Sequence, residues 1–255
     1  MLEINLKGRK AFVTGGSRGI GAGICRAFAR CGANLAFTYK SNQGAATSLV
    51  AELKALEVNA AAYQASAIDE TEMAKAVESA ADLLNGLDIV VANVGQNWVA
   101  SLPELSIDDW RKGIDINLNS VYIAVKLTYP YLNNRSRGDI LLIGSSGVFD
   151  GGGGSPFYAA AKSGMVGMMY NLMRELPSQN IRINTIHPCV VDTDLLRERY
   201  NTEDKIASLA AQVPLGRLST ADDIGNLAAF LCSDLGSFIT GQSILVDGGR
   251  TLWKK

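Results

Sequence analysis

The chain has 255 residues, a formal net charge of −1 and 19% charged residues with no basic block, which makes nucleic acid and anionic membrane surfaces poor partners and favours small-molecule chemistry. Four cysteines without a Cys-x-x-Cys pair and a single histidine, His187 beside Pro188, are too few for a zinc site and a poor fit to a Ser/His/Asp hydrolase. No run reaches the ~18 apolar residues of a membrane span.

The length suits one large α/β domain over 1–255 with a substantial core. The segment Met1 to Lys10 carries Glu3, Lys7, Arg9 and Lys10 and lacks a long apolar stretch, so it is not a signal peptide; a soluble, reducing, cytoplasmic setting is expected. Cys25 and Cys31 read as small core residues and His187 as structural.

Ala11-Phe12-Val13 is a short apolar strand that runs into Thr14-Gly15-Gly16-Ser17-Arg18-Gly19-Ile20-Gly21, after which Ile24, Ala27, Phe28 and Cys31 recur at helical spacing. Strand, glycine loop and helix in this order suit a pyrophosphate: glycines let the backbone turn tightly, and free N–H groups at the helix start stabilise the charge. A phosphate-binding NTPase needs Gly-Lys-Ser/Thr after the loop, and Gly21-Ala22-Gly23 is not that. A second strand over Leu35 to Thr38, a helix over about Gly44 to Leu56 and a third strand from Ala60 to Tyr63 complete the βαβαβ half of a dinucleotide fold.

A helix over about Glu70 to Leu84 leads to Leu87-Asp88-Ile89-Val90-Val91, a strand of the kind buried on both faces of a parallel sheet. A helix opened near Ser106, with Asp108 and Asp109 in its first turn, is followed by a long helix pattern through Asn117, Val121 and Val125 to about Tyr131. The apolar run Ile140 to Ile143 ends in Gly144-Ser145-Ser146-Gly147, which puts hydroxyls at a strand's carboxyl end, where open α/β sheets bind ligands.

Gly151 to Gly154 reads as a mobile loop. A long helix pattern then runs from Tyr158 to Leu176, followed by a strand from Ile181 to Ile186. The segment at about 190–213 follows that strand's carboxyl end and reads as a substrate lid in loop form. Strand and helix alternate to the last strand, Ser243 to Val246.

In a helix, Tyr158 and Lys162 lie on one face with Cβ atoms roughly 6 Å apart. A lysine cation beside a phenol favours the phenolate and brings it towards proton exchange near neutral pH. Tyr122 and Lys126 have the same spacing, but no hydroxyl-bearing strand end precedes them.

From about Leu6 to Gly249 the chain resembles the short-chain dehydrogenase/reductase family, in the single-domain branch of the 3-oxoacyl-carrier-protein reductases. Thr14, Gly15, Gly19 and Gly21 match its cofactor loop, and Asn117, Ser145, Tyr158 and Lys162 its catalytic four. The resemblance implies a Rossmann-type doubly wound sheet of seven parallel strands with helices on both faces. It implies that Tyr158 exchanges the proton, that Ser145 hydrogen-bonds the reacting oxygen, that Lys162 biases Tyr158 and binds the nicotinamide ribose, and that Asn117 holds a water leading to solvent. It further implies that Asn93 and Gly95 line the adenosine side, and that Pro188 and Thr193 stand at the nicotinamide. Ala92 and Cys189 depart from the family's asparagine and glycine.

NAD-specific members place an acid after the second strand; here Tyr39 takes that place, and Arg18, Lys40 and Ser41 offer donors to a 2′-phosphate, so NADP is preferred over NAD. The expected activity is interconversion of a ketone or aldehyde with an alcohol. A non-catalytic dinucleotide sensor is the rival from another class. An enoyl reductase is disfavoured because its longer tyrosine–lysine spacing would need a phenol at Ser155. Asn97, Trp98, Phe149 and Leu195 are candidate pocket residues. A homotetramer paired through the Tyr158 helix is expected. Poor activity on carrier-protein substrates is expected too, because the turn Ser178-Gln179-Asn180 is not basic, Arg135 and Arg137 being the alternative contacts.

Overall fold

The computed structural model describes residues 3–132 and 136–252. β1 (Lys10–Val13), α1 (Gly19–Arg30), β2 (Asn34–Tyr39), α2 (Gln43–Lys54) and β3 (Ala60–Gln64) form the first half. α3 (Glu70–Leu84) is opened by Asp69, whose carboxylate accepts from Glu72 N at 2.9 Å, and is closed by Asn85 at φ 56°. β4 (Ile89–Ala92) follows, buried at every position.

α4 (Ile107–Ile114) is capped by Ser106 as expected, and a π-helical segment, Asp115–Asn119, joins it to α5 (Ser120–Leu132). β5 (Gly138–Ile143) leads through a single helical turn, α6 (Gly147–Asp150), to α7 (Pro156–Leu172). α7 stops short of Leu176, which opens a 3-10 turn instead; a continued helix would hold Pro177, which has no N–H and whose ring clashes with the carbonyl four residues back. β6 (Ile181–Pro188) is buried throughout.

The lid segment is not a loop. It holds α8 (Asp194–Arg199) and α9 (Glu203–Ala210), whose first turns are capped by the hydroxyls of Thr193 and Thr202. α10 (Ala221–Cys232) carries a capping box between Thr220 and Asp223, and β7 (Ser243–Val246) closes the fold.

The seven strands form one parallel sheet in the order β3-β2-β1-β4-β5-β6-β7. α1, α2 and α10 cover one face and α3, α5 and α7 the other, each over its own apolar cluster. α1 meets α10 closely at Gly23, where a Cβ would lie 2.5 Å from the Ala221 Cβ. Strand order reverses between β1 and β4, so the crevice at their carboxyl ends is where this sheet binds ligands.

The amino-terminal edge of the sheet is held by charge. Buried Asp139, at the start of β5, accepts from Arg9 and Arg182 at 2.6 Å each, with Arg137 Nε at 3.4 Å. Arg137 also bonds Asp234. Both Arg137 and the Ser178–Asn180 turn therefore lie at the edge opposite Ser145, so neither bears on access to the crevice of the same chain. Arg135 lies outside the described residues.

Candidate active site

The glycine loop is fixed from beneath. Gly15 N donates to Thr38 Oγ1 at 3.1 Å, and Asn93 Nδ2 donates to the carbonyls of Thr14 and Gly15 at 3.0 and 3.1 Å. Asn93 thus spends its amide nitrogen on the loop's backbone and fixes its shape from beneath. Gly15 and Gly19 have φ of 65° and 53°, where a side chain is strained, and a Cβ on Gly15 would lie 2.9 Å from Val94 Cγ2.

α1 starts at Gly19 with Arg18 as its N-cap residue, no capping side chain and no acid in the first turn. Its first N–H groups and positive dipole end are thus left for an anion, which fits a dinucleotide pyrophosphate. Ser17 and Ile20 are half-buried beside them, and Ile20 packs onto the core. Thr193 stands next to this loop, its Cγ2 3.5 Å from where a Gly19 Cβ would be. At the end of β2, Tyr39 packs its ring on the core while Lys40, Ser41 and Arg18 are exposed.

The four catalytic candidates converge at the ends of β4 and β5. The Ser145 side chain faces the Tyr158 phenol closely enough to lower its proton affinity. Its own backbone is set by His187, whose Nδ1 lies 3.2 Å from Ser145 N and 3.0 Å from Ser145 O. Ser146 is buried with its N–H on the Pro188 carbonyl, and it is Ser145 that acts on the phenol. Lys162 is buried, donates to Ile143 O at 2.8 Å, and places Nζ 5.7 Å from the Tyr158 ring centroid.

Asn117 sits in the π segment. Its Nδ2 donates to Gly113 O at 2.9 Å and Gln96 O at 2.8 Å, and its Oδ1 accepts from Gln96 N at 3.0 Å. The bulge thus turns Asn117 inward, and a Cβ on Gly95 would lie 3.1 Å from both Asn117 Oδ1 and Lys162 Nζ. Gly95 belongs with the catalytic groups, and only glycine leaves room there.

Burial, not the lysine, dominates the phenol. Burial pushes the Tyr158 pKa up, the Ser145 hydrogen bond lowers it and Cys189 raises it, so the expected pull of Lys162 towards phenolate is not what governs the free chain. Burial likewise lowers Lys162 from 10.5 to about 8. His187 is pushed down to about 4 by burial and stays neutral, which suits a structural role.

The glycine run Gly151–Gly154 is restrained, contrary to expectation. Gly151 N donates to Gly147 O at 2.9 Å, Gly152 N to Asp150 Oδ1 at 2.8 Å, Ala100 N to Gly154 O at 3.1 Å, and Asn97 Nδ2 to Gly153 O. At φ 106°, Gly153 passes over the Tyr158 ring, where a Cβ would lie 2.5 Å from Cδ1. Asn97 is therefore a tether for this loop. Trp98 packs on Phe157 at 4.2 Å between ring centroids, and Phe149 is exposed beside His187; the side chain of Leu195 lies outside the described residues.

Sequence reasoning singled out Cys189 as a departure but missed Gly153, which passes over the Tyr158 ring, and Arg250, which donates to Cys189 Sγ at 3.3 Å. The one available signal was the cysteine where the family pattern has glycine. Among the described residues no group of three metal-binding side chains is clustered, and no helix is long and apolar enough to cross a membrane.

A family model described as Enoyl-(Acyl carrier protein) reductase matches residues 15–251. The 3-oxoacyl-acyl-carrier-protein reductase of Escherichia coli (strain K12) is 35% identical over 246 residues, covering 96% of this chain and 98% of that one. A short-chain alcohol dehydrogenase from Sinorhizobium meliloti 1021, described as putative, superposes with a TM-score of 0.92 at 31% identity over 98% of this chain and 99% of the other. A blue fluorescent protein from a metagenomic library, solved with NADPH, has a TM-score of 0.88 at 38% identity over 96% and 99%. The chain belongs to the short-chain dehydrogenase/reductase family. It is accordingly an NAD(P)-dependent oxidoreductase of the carbonyl–alcohol class.

Proposed function

We propose that Tyr158 is the general acid and base of this reaction, with Ser145, Lys162 and Asn117 as its partners and NADP preferred over NAD. The observation that carries the reading is the buried Lys162, bonded to Ile143 O at 2.8 Å and 5.7 Å from the Tyr158 ring centroid, with Ser145 facing the phenol at the strand ends where the sheet binds ligands. Bound in the crevice, the nicotinamide supplies or accepts the hydride. In reduction Tyr158 gives its proton to the carbonyl oxygen, and in oxidation it takes the alcohol's. A phenol raised by burial is kept protonated at neutral pH, which suits the reductive direction.

Ser145 donates to the same oxygen as a preorganised group. Lys162 holds the ribose and, while charged, favours loss of the phenol's proton. Asn117, anchored to Gln96 and Gly113, holds the water that links Lys162 to solvent. Gly15, Ser17, Gly19, Ile20 and Gly21 take the pyrophosphate, and Pro188 and Thr193 border the nicotinamide. Gly95 borders the reacting end and Asn93 fixes the loop.

The NADP preference is supported by exposed Arg18, Lys40 and Ser41 where no carboxylate repels a 2′-phosphate. It agrees with the NADPH held by the metagenomic relative. Exposed Tyr122 on α5 and Tyr170 on α7, together with the open outer side of Gly167, support a homotetramer. We assign the enzyme to the cytoplasm, with a small carbonyl or alcohol as substrate.

Replacing Tyr158 by Phe should abolish turnover while dinucleotide binding, followed by fluorescence, persists. Tyr122→Phe, at an exposed position with the same lysine spacing, should leave kcat within a few fold. Equal losses from the two variants would refute the assignment.

A further inference from the structure

Arg250 follows β7 and holds a half-buried guanidinium between the floor of the crevice and the lid. Nη1 donates to Cys189 Sγ at 3.3 Å and Nη2 to Gln212 Oε1 at 2.8 Å. Cys189 directly follows β6, at the carboxyl end of the sheet where the crevice opens. Gln212 lies just beyond α9, at the end of the lid. A fixed cation thus bridges the carboxyl end of β6 and the end of the lid.

Its partners are an amide oxygen and a sulfur. By contrast Arg9, Arg26, Arg137, Arg182, Arg197 and Arg217 each pair with a carboxylate. The acids of this turn and of the lid are already engaged. Asp247 accepts from Gly249 N at 2.8 Å and Thr251 N at 2.7 Å, while Asp192 and Glu203 in the lid pair with Arg197. Among the described residues no carboxylate forms an ion pair with Arg250, although a buried or half-buried guanidinium is ordinarily matched by an anion. The guanidinium has five donors in a planar fork, so donors remain for a carboxylate after the two bonds above.

We propose that Arg250 is a specificity-determining residue that binds an anionic group of the substrate, so that the substrate class is a carbonyl compound bearing a carboxylate, an oxo acid, or the corresponding hydroxy acid. The inference rests on Tyr158 being the reacting acid, since that fixes which end of the crevice holds the carbonyl. Cys189, standing where the family pattern has glycine, orients the guanidinium that glycine would leave unsupported on that side.

The test is the ratio of kcat/KM for a 3-oxo carboxylic acid to that for its methyl ester, with NADPH, in the wild type, Arg250→Gln and Arg250→Lys, each checked for folding by circular dichroism. The wild type should favour the acid. Arg250→Gln should lower the ratio by about 10- to 100-fold, the loss of one charge-assisted contact, and Arg250→Lys should lower it less because the charge is retained. A wild type that favours the ester, or a ratio that Arg250→Gln leaves unchanged, overturns the proposal. If Arg250→Gln does not fold, the wild-type ratio and that of Arg250→Lys decide it. Failure of the Tyr158 reading is seen separately, as turnover of both substrates by Tyr158→Phe.

Discussion

Lys162→Met should make the protein more stable and less active. Burial lowers Lys162 from 10.5 to about 8, and a pKa unit corresponds to about 1.4 kcal/mol, so carrying the ammonium in the fold at neutral pH costs about 3 kcal/mol. Methionine fills nearly the same space without the charge. Ile143 O loses the 2.8 Å bond from Nζ, which returns about 1 kcal/mol. The net expectation is a gain of about 2 kcal/mol at pH 7, read from urea unfolding.

The sign follows from linkage. Below pH 8 the lysine is protonated both folded and unfolded, and the whole penalty is present. Between about 8 and 10.5 the folded protein has released a proton that the unfolded chain still holds. Wild-type stability therefore rises with pH across that window relative to the variant, and the variant's advantage shrinks. A variant that is less stable at pH 7, or whose advantage is flat from pH 7 to 10.5, would refute the reasoning.

Replacing Arg18 and Lys40 together by alanine should weaken NADP far more than NAD in cofactor titrations, at about 1.5–3 kcal/mol for each charged hydrogen bond lost; equal weakening of both means that the 2′-phosphate is held elsewhere. Asp139→Asn should cost about 3–5 kcal/mol in urea unfolding, because it strips the buried partner from Arg9 and Arg182 at the edge away from the site. A loss under 1 kcal/mol would show that the backbone carbonyls around those arginines suffice. Light scattering at micromolar concentration should give the mass of a tetramer, and a monomeric mass would remove the pairing of α7 proposed above.

What could be read in the sequence was set by local chemistry. Apolar runs such as Ile140–Ile143 are legible because both faces of a parallel strand are covered. The glycine loop is legible because backbone strain at Gly15 and Gly19 demands its residue type. The π segment was not legible, since Asp115–Asn119 continues a helical pattern and only Asn117's bonds to Gln96 and Gly113 make the register shift worthwhile. The lid helices are short and α9 buries nothing, so no periodic signal marks them. The restraint on Gly151–Gly154 comes from Asn97 and Ala100, which are distant in the chain.

The same limit explains the Tyr158–Lys162 pair. Spacing makes the two groups neighbours, but the depth at which the fold holds them decides the sign of the effect. Burial opposes each charged form taken singly, raising the phenol and lowering the lysine. The two charges together attract, Lys162 Nζ standing 5.7 Å from the centroid of the Tyr158 ring. The phenolate is therefore favoured while Lys162 stays protonated. It follows that in the free protein proton release from Tyr158 and retention by Lys162 are coupled, and that loss of the ammonium above pH about 8 withdraws that help.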